Sequence, residues 1–302
     1  MSEVAKSIIK ALYFKLLGPT GLLTRNIKLK IGLGIFFALM ILGATEPIVN
    51  KIRLGSRSPD EIGLGGPYES PSLRFPLGTC PWGRDIFGML LLGTRLTLII
   101  GLLSGTVATL IAVFIGFVSA YKGGLIDHIL RSFIDAFLVI PTWPIFVIIA
   151  AYVKILNIFE ISLLLAAFSW GGSARIIRAQ VLSLKEREFI NLAKISGMRD
   201  IEIIFYEILP NFAPYIVVAF SNATMSAIFA ETGLRLIGLG PPLLPTLGYL
   251  ANLTLSGGFL TIRPYIVAIV VAMLALIFFS LNLINLGLEE EFNPRLKKVT
   301  GL

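Results

Sequence analysis

Long apolar runs are the main feature of the hydrophobic pattern along the chain. A helix needs about 20 largely apolar residues to cross the hydrocarbon core of a membrane. Six segments meet this requirement, at residues 31–49, 90–121, 132–153, 155–174, 211–234 and 264–288. Two long stretches, 96–121 and 264–288, contain no charged residue. The pattern therefore predicts an all-α integral membrane protein with about six transmembrane helices.

Basic residues are distributed unevenly between the loops on the two sides. With a cytoplasmic N-terminus, 17 of the 26 Lys and Arg residues fall in cytoplasmic segments, and 9 fall outside or near the outer ends of spans. Because cytoplasmic loops carry the excess of basic residues, both termini are predicted to be cytoplasmic. The predicted parts are a cytoplasmic segment at 1–30, a first transmembrane helix at 31–49, an extracytoplasmic loop at 50–87, a five-helix domain at 88–290 and a cytoplasmic tail at 291–302.

The composition agrees with a multi-pass membrane protein and narrows the chemistry. The 302 residues are 56% hydrophobic and 15% charged, whereas soluble domains are about 25% charged. Basic cytoplasmic loops account for the net charge of +8, so no nucleic-acid partner is expected. The single cysteine, Cys80, and the single histidine, His128, predict no internal disulfide, no metal site and no membrane enzyme.

Polar residues inside the spans are candidates for a translocation pathway or gate. Asp135 has Arg131 four residues before it, and Glu231 has Arg235 four residues after it, so each carboxylate has a potential partner on its own helix. We expect Asp135 to form a structural ion pair, and Glu231 to form either a gate-region salt bridge or a pair facing water. The fifth span also carries Asn222, Thr224 and Ser226. These three residues either line a pathway or tie helices together.

The longest charged stretch runs from Lys185 to Asn211, between the fourth and fifth predicted spans, with four basic and five acidic residues. Its first half has Phe189, Leu192 and Ala193 at helical spacing, which predicts a short helix at 186–196 with these residues on one face. Gly197 follows and is expected to end this helix with a positive φ.

A second apolar stripe follows the glycine. Its members are Ile201, Ile204, Phe205 and Ile208. Pro210 is expected to end this second helix or to begin the next span, and Leu209 before it is expected to leave the helical region. Two short amphipathic helices of this kind suit either a hairpin lying on the bilayer or a docking surface for a soluble partner.

This stretch resembles the EAA loop of ABC-importer permeases, in which Ala is followed after three residues by Gly and after eleven more by Leu-Pro. Here those residues are Ala193, Gly197, Leu209 and Pro210. Asn191 stands where that family has Glu. Further stretches resemble the dipeptide and oligopeptide permeases of the C type, over residues 70–298. They are "FPLGTCPWGRDIFGMLLLGTRLTLIIGL", "SAYKGGLIDHILRSFIDAFLVIP", "SWGGSARIIRAQVLSLKEREFI", "AETGLRLIGLG" and "LNLINLGLEEEFNPRLKK".

The resemblance implies a permease subunit that performs no chemistry and moves a solute by alternating access. The implied coupling residues are Glu188, Phe189, Ala193, Gly197, Ile201, Phe205, Leu209 and Pro210. The implied partners are a second homologous permease, two ABC ATPases that hold ATP and Mg²⁺, an extracytoplasmic substrate-binding protein and membrane lipid, with no cofactor on this chain. Peptides are the implied solute, and oligosaccharides or nickel are alternatives within the branch. An ion-coupled secondary transporter or channel is the alternative function.

Overall fold

A computed structural model describes residues 26–153, 157–199, 202–242 and 244–292. Within these ranges the chain is mostly helical, with one isolated β-bridge between Thr79 and Asp85. The helices are α1 (Ile27–Leu54), α2 (Ile86–Lys122), α3 (Gly124–Val139), α4 (Thr142–Tyr152), α5 (Ile158–Ser169), α6 (Gly171–Lys185), α7 (Glu188–Ile195), a π-helix (Ile203–Ile208), α8 (Leu209–Leu236), α9 (Leu247–Ser256), α10 (Phe259–Ile262) and α11 (Pro264–Phe292).

Four of the described helices, α1, α2, α8 and α11, are long and apolar enough to cross a membrane. Helices α3 and α4 together qualify as a fifth span, but they are bent by 71°. The third predicted span, 132–153, is therefore not one straight helix. The break lies at Ile140, which is extended (φ −66°, ψ 124°) because it precedes Pro141. The fourth predicted span, 155–174, is likewise divided, since α5 ends at Ser169 and α6 begins at Gly171.

The ends of the spans differ from the predicted boundaries by a few residues. Helix α1 begins earlier than predicted because the Asn26 side chain accepts hydrogen bonds from the first-turn amides of Lys28 and Leu29. It ends at Leu54, and its C-cap Gly55 has φ 69°. The connection between α1 and α2 therefore covers residues 55–85, whereas the predicted extracytoplasmic loop is 50–87. Of the predicted N-terminal segment and tail, residues 1–25 and 293–302 lie outside the described residues.

Helix α2 lies at the centre of the bundle and contacts α1, α5, α6, α8 and α9. Small residues allow this close approach. A Cβ added to Gly101 would meet the Ile228 side chain of α8, and one added to Gly116 would meet the backbone of Ala174 in α6. Between these glycines, Ala108 and Ala112 are fully buried. Membrane helices pack through such small residues because lipid provides little hydrophobic drive for helix association.

The 55–85 loop is held against the helix ends by specific hydrogen bonds. Arg263, just before α11, donates to the carbonyl oxygens of Tyr68 and Glu69, at 2.7 Å each. The Tyr68 hydroxyl donates to the carbonyl oxygen of Gly257 after α9. At the start of α2, burial raises the pKa of the Asp85 carboxyl above its ordinary value, although an ion pair with Arg53 (2.9 Å) opposes the shift. The loop is therefore an ordered cap on one end of the bundle.

Candidate coupling segment and membrane-embedded polar clusters

The segment between α6 and α8 contains the predicted first helix and its glycine turn. Helix α7 begins at Glu188 and ends at Ile195. Gly197 then has φ 78°, as predicted. The Met198 amide donates to the carbonyl of Ala193 at 3.2 Å, which is the hydrogen bond that closes a glycine-ended helix. The turn therefore depends on a backbone conformation that glycine adopts without strain.

The apolar residues of α7 differ in burial. Ile190 and Ala193 are buried and Phe189 is half-buried, but Leu192 is exposed. The predicted apolar stripe of Phe189, Leu192 and Ala193 is therefore only partly buried. Ile190, which was not part of that stripe, joins the same core cluster as Val181 of α6.

A π-helix connects this segment to α8 without a break. The prediction that Leu209 leaves the helical region is wrong, because Leu209 has φ −59° and ψ −43° and its amide donates to the carbonyl of Ile204 five residues earlier. Pro210 has no N–H to donate and crowds the preceding helical turn. The wider π-turn keeps the chain helical at that point.

The second half of the segment is described in part. Ile208 of the predicted stripe and Ile203, which was not predicted, are buried in the same cluster as Phe212 of α8, so the segment is packed directly onto a membrane span. Ile201 lies outside the described residues. The structure describes the backbone of Phe205 and Pro210 but not their side chains.

The opposite side of the segment is an exposed surface with both apolar and charged residues. Leu192 and Ile195 are exposed, the latter to 84%. Glu186, Arg187 and Glu188 at the start of α7 are also exposed. The segment thus has one face buried against the bundle and another that is free to contact a partner.

The nearest ionic partner of Asp135 is not the predicted one. Its carboxylate lies 2.6 Å from Arg175 of α6 and 3.7 Å from Arg131 of its own helix. The Asp135 side chain is 46% exposed, so the other described residues of this chain cover only about half of it. The three residues line a cavity of about 460 Å³ together with Arg178. Helical spacing identified the local contact, whereas the shorter contact comes from a residue 40 positions away.

Glu231 and Arg235 form the predicted ion pair, at 3.0 Å, but in a fully buried position. Their side chains are 3% and 4% exposed, so the reading of a pair facing water is wrong. The Thr246 hydroxyl donates to the same Glu231 oxygen at 2.6 Å. Arg235 also donates to the carbonyl oxygens of Pro241 and Leu244, at 2.6 Å each. The pair therefore holds the connection between α8 and α9 in place.

Asn222 and Thr224 have different surroundings, although they are close in sequence. Thr224 is fully buried and packs where α8 meets Gly105 of α2. Asn222 accepts a hydrogen bond from Asn285 of α11 at 2.8 Å and also lines a half-open cavity of about 540 Å³. Thr224 thus packs between two helices, whereas Asn222 joins two helices by a hydrogen bond and borders open space.

Further ionic contacts between helices were not predicted from the sequence. Asp127 forms paired hydrogen bonds with Arg178, at 2.6 Å each, joining α3 to α6. Glu46 lies 2.8 Å from Arg95 and joins α1 to α2. In each case the sequence feature that could have indicated the contact is a carboxylate within or beside an apolar run, because an unpaired charge there is costly.

These features define a multi-pass membrane protein, with apolar spans, paired charges between them and a helical segment packed on the spans with one face exposed. Residues 112–298 match the family described as the binding-protein-dependent transport system inner membrane component. The chain belongs to this family, and so it is a permease subunit of an ABC-type transport system.

Individual relatives cover most of the chain. The chain is 32% identical over 240 residues to the oligopeptide transport system permease protein OppC of Mycobacterium bovis. The aligned region covers 78% of this chain and 81% of that protein. It is 31% identical over 229 residues to OppC of Bacillus subtilis, covering 76% and 74%. It is 30% identical over 272 residues to the dipeptide transport system permease protein DppC of Bacillus subtilis, covering 88% and 82%.

Proposed function

We propose that the protein is the permease subunit of an importer that moves small peptides into the cell. The observation that carries this proposal is the segment from α7 to the π-helix, which combines an exposed surface with direct packing on the α8 span. The relatives are oligopeptide and dipeptide permeases by name, which supports peptides as the solute.

The proposed partners are a second homologous permease, two ATPase subunits and an extracytoplasmic substrate-binding protein. ATP and Mg²⁺ belong to the ATPases, and this chain contributes no catalytic residue. Both termini lie in the cytoplasm in this proposal, because Lys and Arg are concentrated in the segments on that side. The exposed face of α7 then meets the ATPases, and the 55–85 cap lies on the outer side.

The proposed mechanism is alternating access driven by movement of the ATPases. The Gly197 turn sets the angle between α7 and the π-helix, and Ile203 and Ile208 transmit a displacement to α8 through the core that they share with Phe212. Since packed interfaces move as units rather than deform continuously, α8 and its neighbours would shift together.

Purification followed by reconstitution tests this function. We expect the tagged chain to co-purify with two ATPase chains and one further permease, and the complex to take up a peptide only with ATP and the binding protein. Peptide uptake by this chain alone in proteoliposomes, driven by an ion gradient, would overturn the proposal and favour an ion-coupled transporter.

A further inference from the structure

The half-open cavity beside Asn222 combines aromatic and polar side chains. It lies between α4, α5, α6 and α8. Trp143, Phe168 and Phe229 supply aromatic rings, and Asn222 and Ser226 supply polar groups. All the lining residues within the described part of the chain are uncharged. The cavity is thus amphipathic but carries no net charge.

The polar residues of this cavity lie near the middle of a membrane span. The apolar part of α8 extends from Phe212 to Leu236. At about 1.5 Å per residue, Asn222 and Ser226 lie about 15 Å and 21 Å along a span of about 36 Å. Ser226 is exposed on this surface. Polar side chains at such depth normally face protein or a water-filled cavity rather than lipid.

The same face continues toward the ionic cavity described above. Helix α6 borders both cavities, since Gly172 lines the uncharged one and Arg175 lines the charged one. These two residues are three positions apart and both are exposed, so they lie on one face of the helix. The charged cavity, with Asp135 and Arg175, and the uncharged cavity therefore border the same face of α6.

We infer that the uncharged cavity is a contact surface for the translocated solute, and that it favours peptides with uncharged, apolar or aromatic side chains. This inference rests on the proposed function. Aromatic rings such as Trp143 and Phe229 gain contact area with apolar side chains. A charged side chain would lose hydration there without gaining an opposite charge. The volume of about 540 Å³ lies within the range of small-ligand pockets.

Two glycines provide a matched steric test. A Cβ added to Gly172 meets no atom within 4 Å, and the same holds for Gly34 in α1, a helix that contributes no residue to the cavity lining. Both glycines are helical and exposed. We expect Gly172→Leu to lower the initial rate of trialanine uptake by the reconstituted complex several-fold, since Gly172 lines the cavity and its added Cβ meets no neighbouring atom. Gly34→Leu is expected to transport at the wild-type rate.

A charge introduced at Ser226 tests the substrate class. Uptake would be compared for Ala-Phe-Ala, Ala-Lys-Ala and Ala-Glu-Ala at saturating binding protein. Wild type is expected to transport the Phe peptide fastest. Ser226→Asp is expected to raise the ratio of Lys-peptide to Glu-peptide uptake on the order of ten-fold, since the unit charge acts at short range in a partly dehydrated site. Ser226→Asn, which is polar but neutral, is expected to leave this ratio unchanged.

The outcomes separate this inference from the proposed function. Uptake of no peptide by the wild-type complex would overturn both. Peptide uptake by wild type, with Gly172→Leu matching Gly34→Leu or with the Lys-to-Glu ratio unmoved by Ser226→Asp, would overturn the inference and leave the proposed function intact. If Ser226→Asp does not assemble, the comparison of Gly172→Leu with Gly34→Leu still tests whether the solute contacts this cavity.

Discussion

Arg235 shows at the scale of one residue how a charge is accommodated inside the bundle. Its guanidinium contacts a carboxylate and two carbonyl oxygens, and it also lies over the Tyr249 ring at 5.8 Å. A buried charge is tolerated only when its polar partners are nearly complete. Arg235 therefore serves the structure of the α8–α9 connection, and Glu231 is its counter-ion.

Replacing Arg235 is expected to destabilise the protein strongly. Arg235→Met leaves Glu231 and the carbonyl oxygens of Pro241 and Leu244 without their partner in a buried site. Breaking a buried pair in this way costs about 3–5 kcal/mol. Thermal unfolding of the purified chain in detergent would show the loss as a lower midpoint.

The matched control for Arg235→Met is Arg57→Met. Arg57 also pairs with a glutamate four residues later, Glu61, at 2.9 Å, but both side chains are more than 40% exposed. No measurable change is expected there, because exposed pairs contribute little. Equal midpoints for the two variants would contradict the organising role given to Arg235.

At the scale of elements, the ionic contacts between α3 and α6 differ in exposure. Asp127 and Arg178 are mostly buried and make two short hydrogen bonds. Asp135 and Arg175 are about half exposed. Solvent screens the second pair more than the first, so the two contacts are not expected to contribute equally to the packing of α3.

Neutralising the two aspartates should therefore have unequal effects. Asp127→Asn is expected to lower the free energy of unfolding by about 1.5–3 kcal/mol, the usual range for a hydrogen bond to a charged group. Asp135→Asn is expected to lower the free energy of unfolding by about 1 kcal/mol or less. Denaturant unfolding in micelles would measure both. If Asp135→Asn lowered the free energy of unfolding more than Asp127→Asn does, the pair of Asp135 with Arg175 would be the stronger of the two contacts.

The Gly197 turn is the element that the proposed coupling depends on. Gly197→Val places a β-branched residue at φ 78°, which costs on the order of 1–3 kcal/mol of backbone strain. We expect α7 to shift relative to the π-helix, so that ATP hydrolysis continues while uptake falls. Substrate-stimulated ATPase activity and uptake would be measured in the same reconstituted complex.

Gly55→Val controls for backbone strain alone. Gly55 has φ 69°, and a Cβ at either glycine meets no atom within 4 Å. Gly55 lies at the end of α1, away from the coupling segment. It should keep the wild-type ratio of uptake to hydrolysis. An unchanged ratio in Gly197→Val, with the variant assembled, would remove this segment from the coupling mechanism.

At the scale of the whole molecule, the proposed orientation places α7 and the α9–α10 connection on opposite sides. Ser196 and Ser256 are both exposed in these two places. A membrane-impermeant maleimide added to intact cells is expected to label Ser256→Cys but not Ser196→Cys. The native Cys80 is buried and should not react. Labelling of Ser196→Cys but not Ser256→Cys would show that the orientation in the membrane is the opposite of the proposed one.

The apolar spans and their approximate ends could be predicted from the sequence because span length is a local property. Helices α1, α2, α8 and α11 follow directly from runs of apolar residues. The positive φ of Gly197 was equally predictable, since it depends on one residue type between two helical stripes. The bend at Ile140 was missed although Pro141 signals it locally, because the apolar run continues through the break.

Local spacing by itself determined the pairing of Glu231 with Arg235, because residues four apart on a helix are neighbours. Only the tertiary structure decided that this pair is buried, that Asp135 contacts Arg175, and that Ile190 rather than Leu192 faces the core. Each of these depends on a second element brought alongside the first. The same holds for the cavity beside Asn222, whose wall comes from four helices and whose shape follows from how they pack.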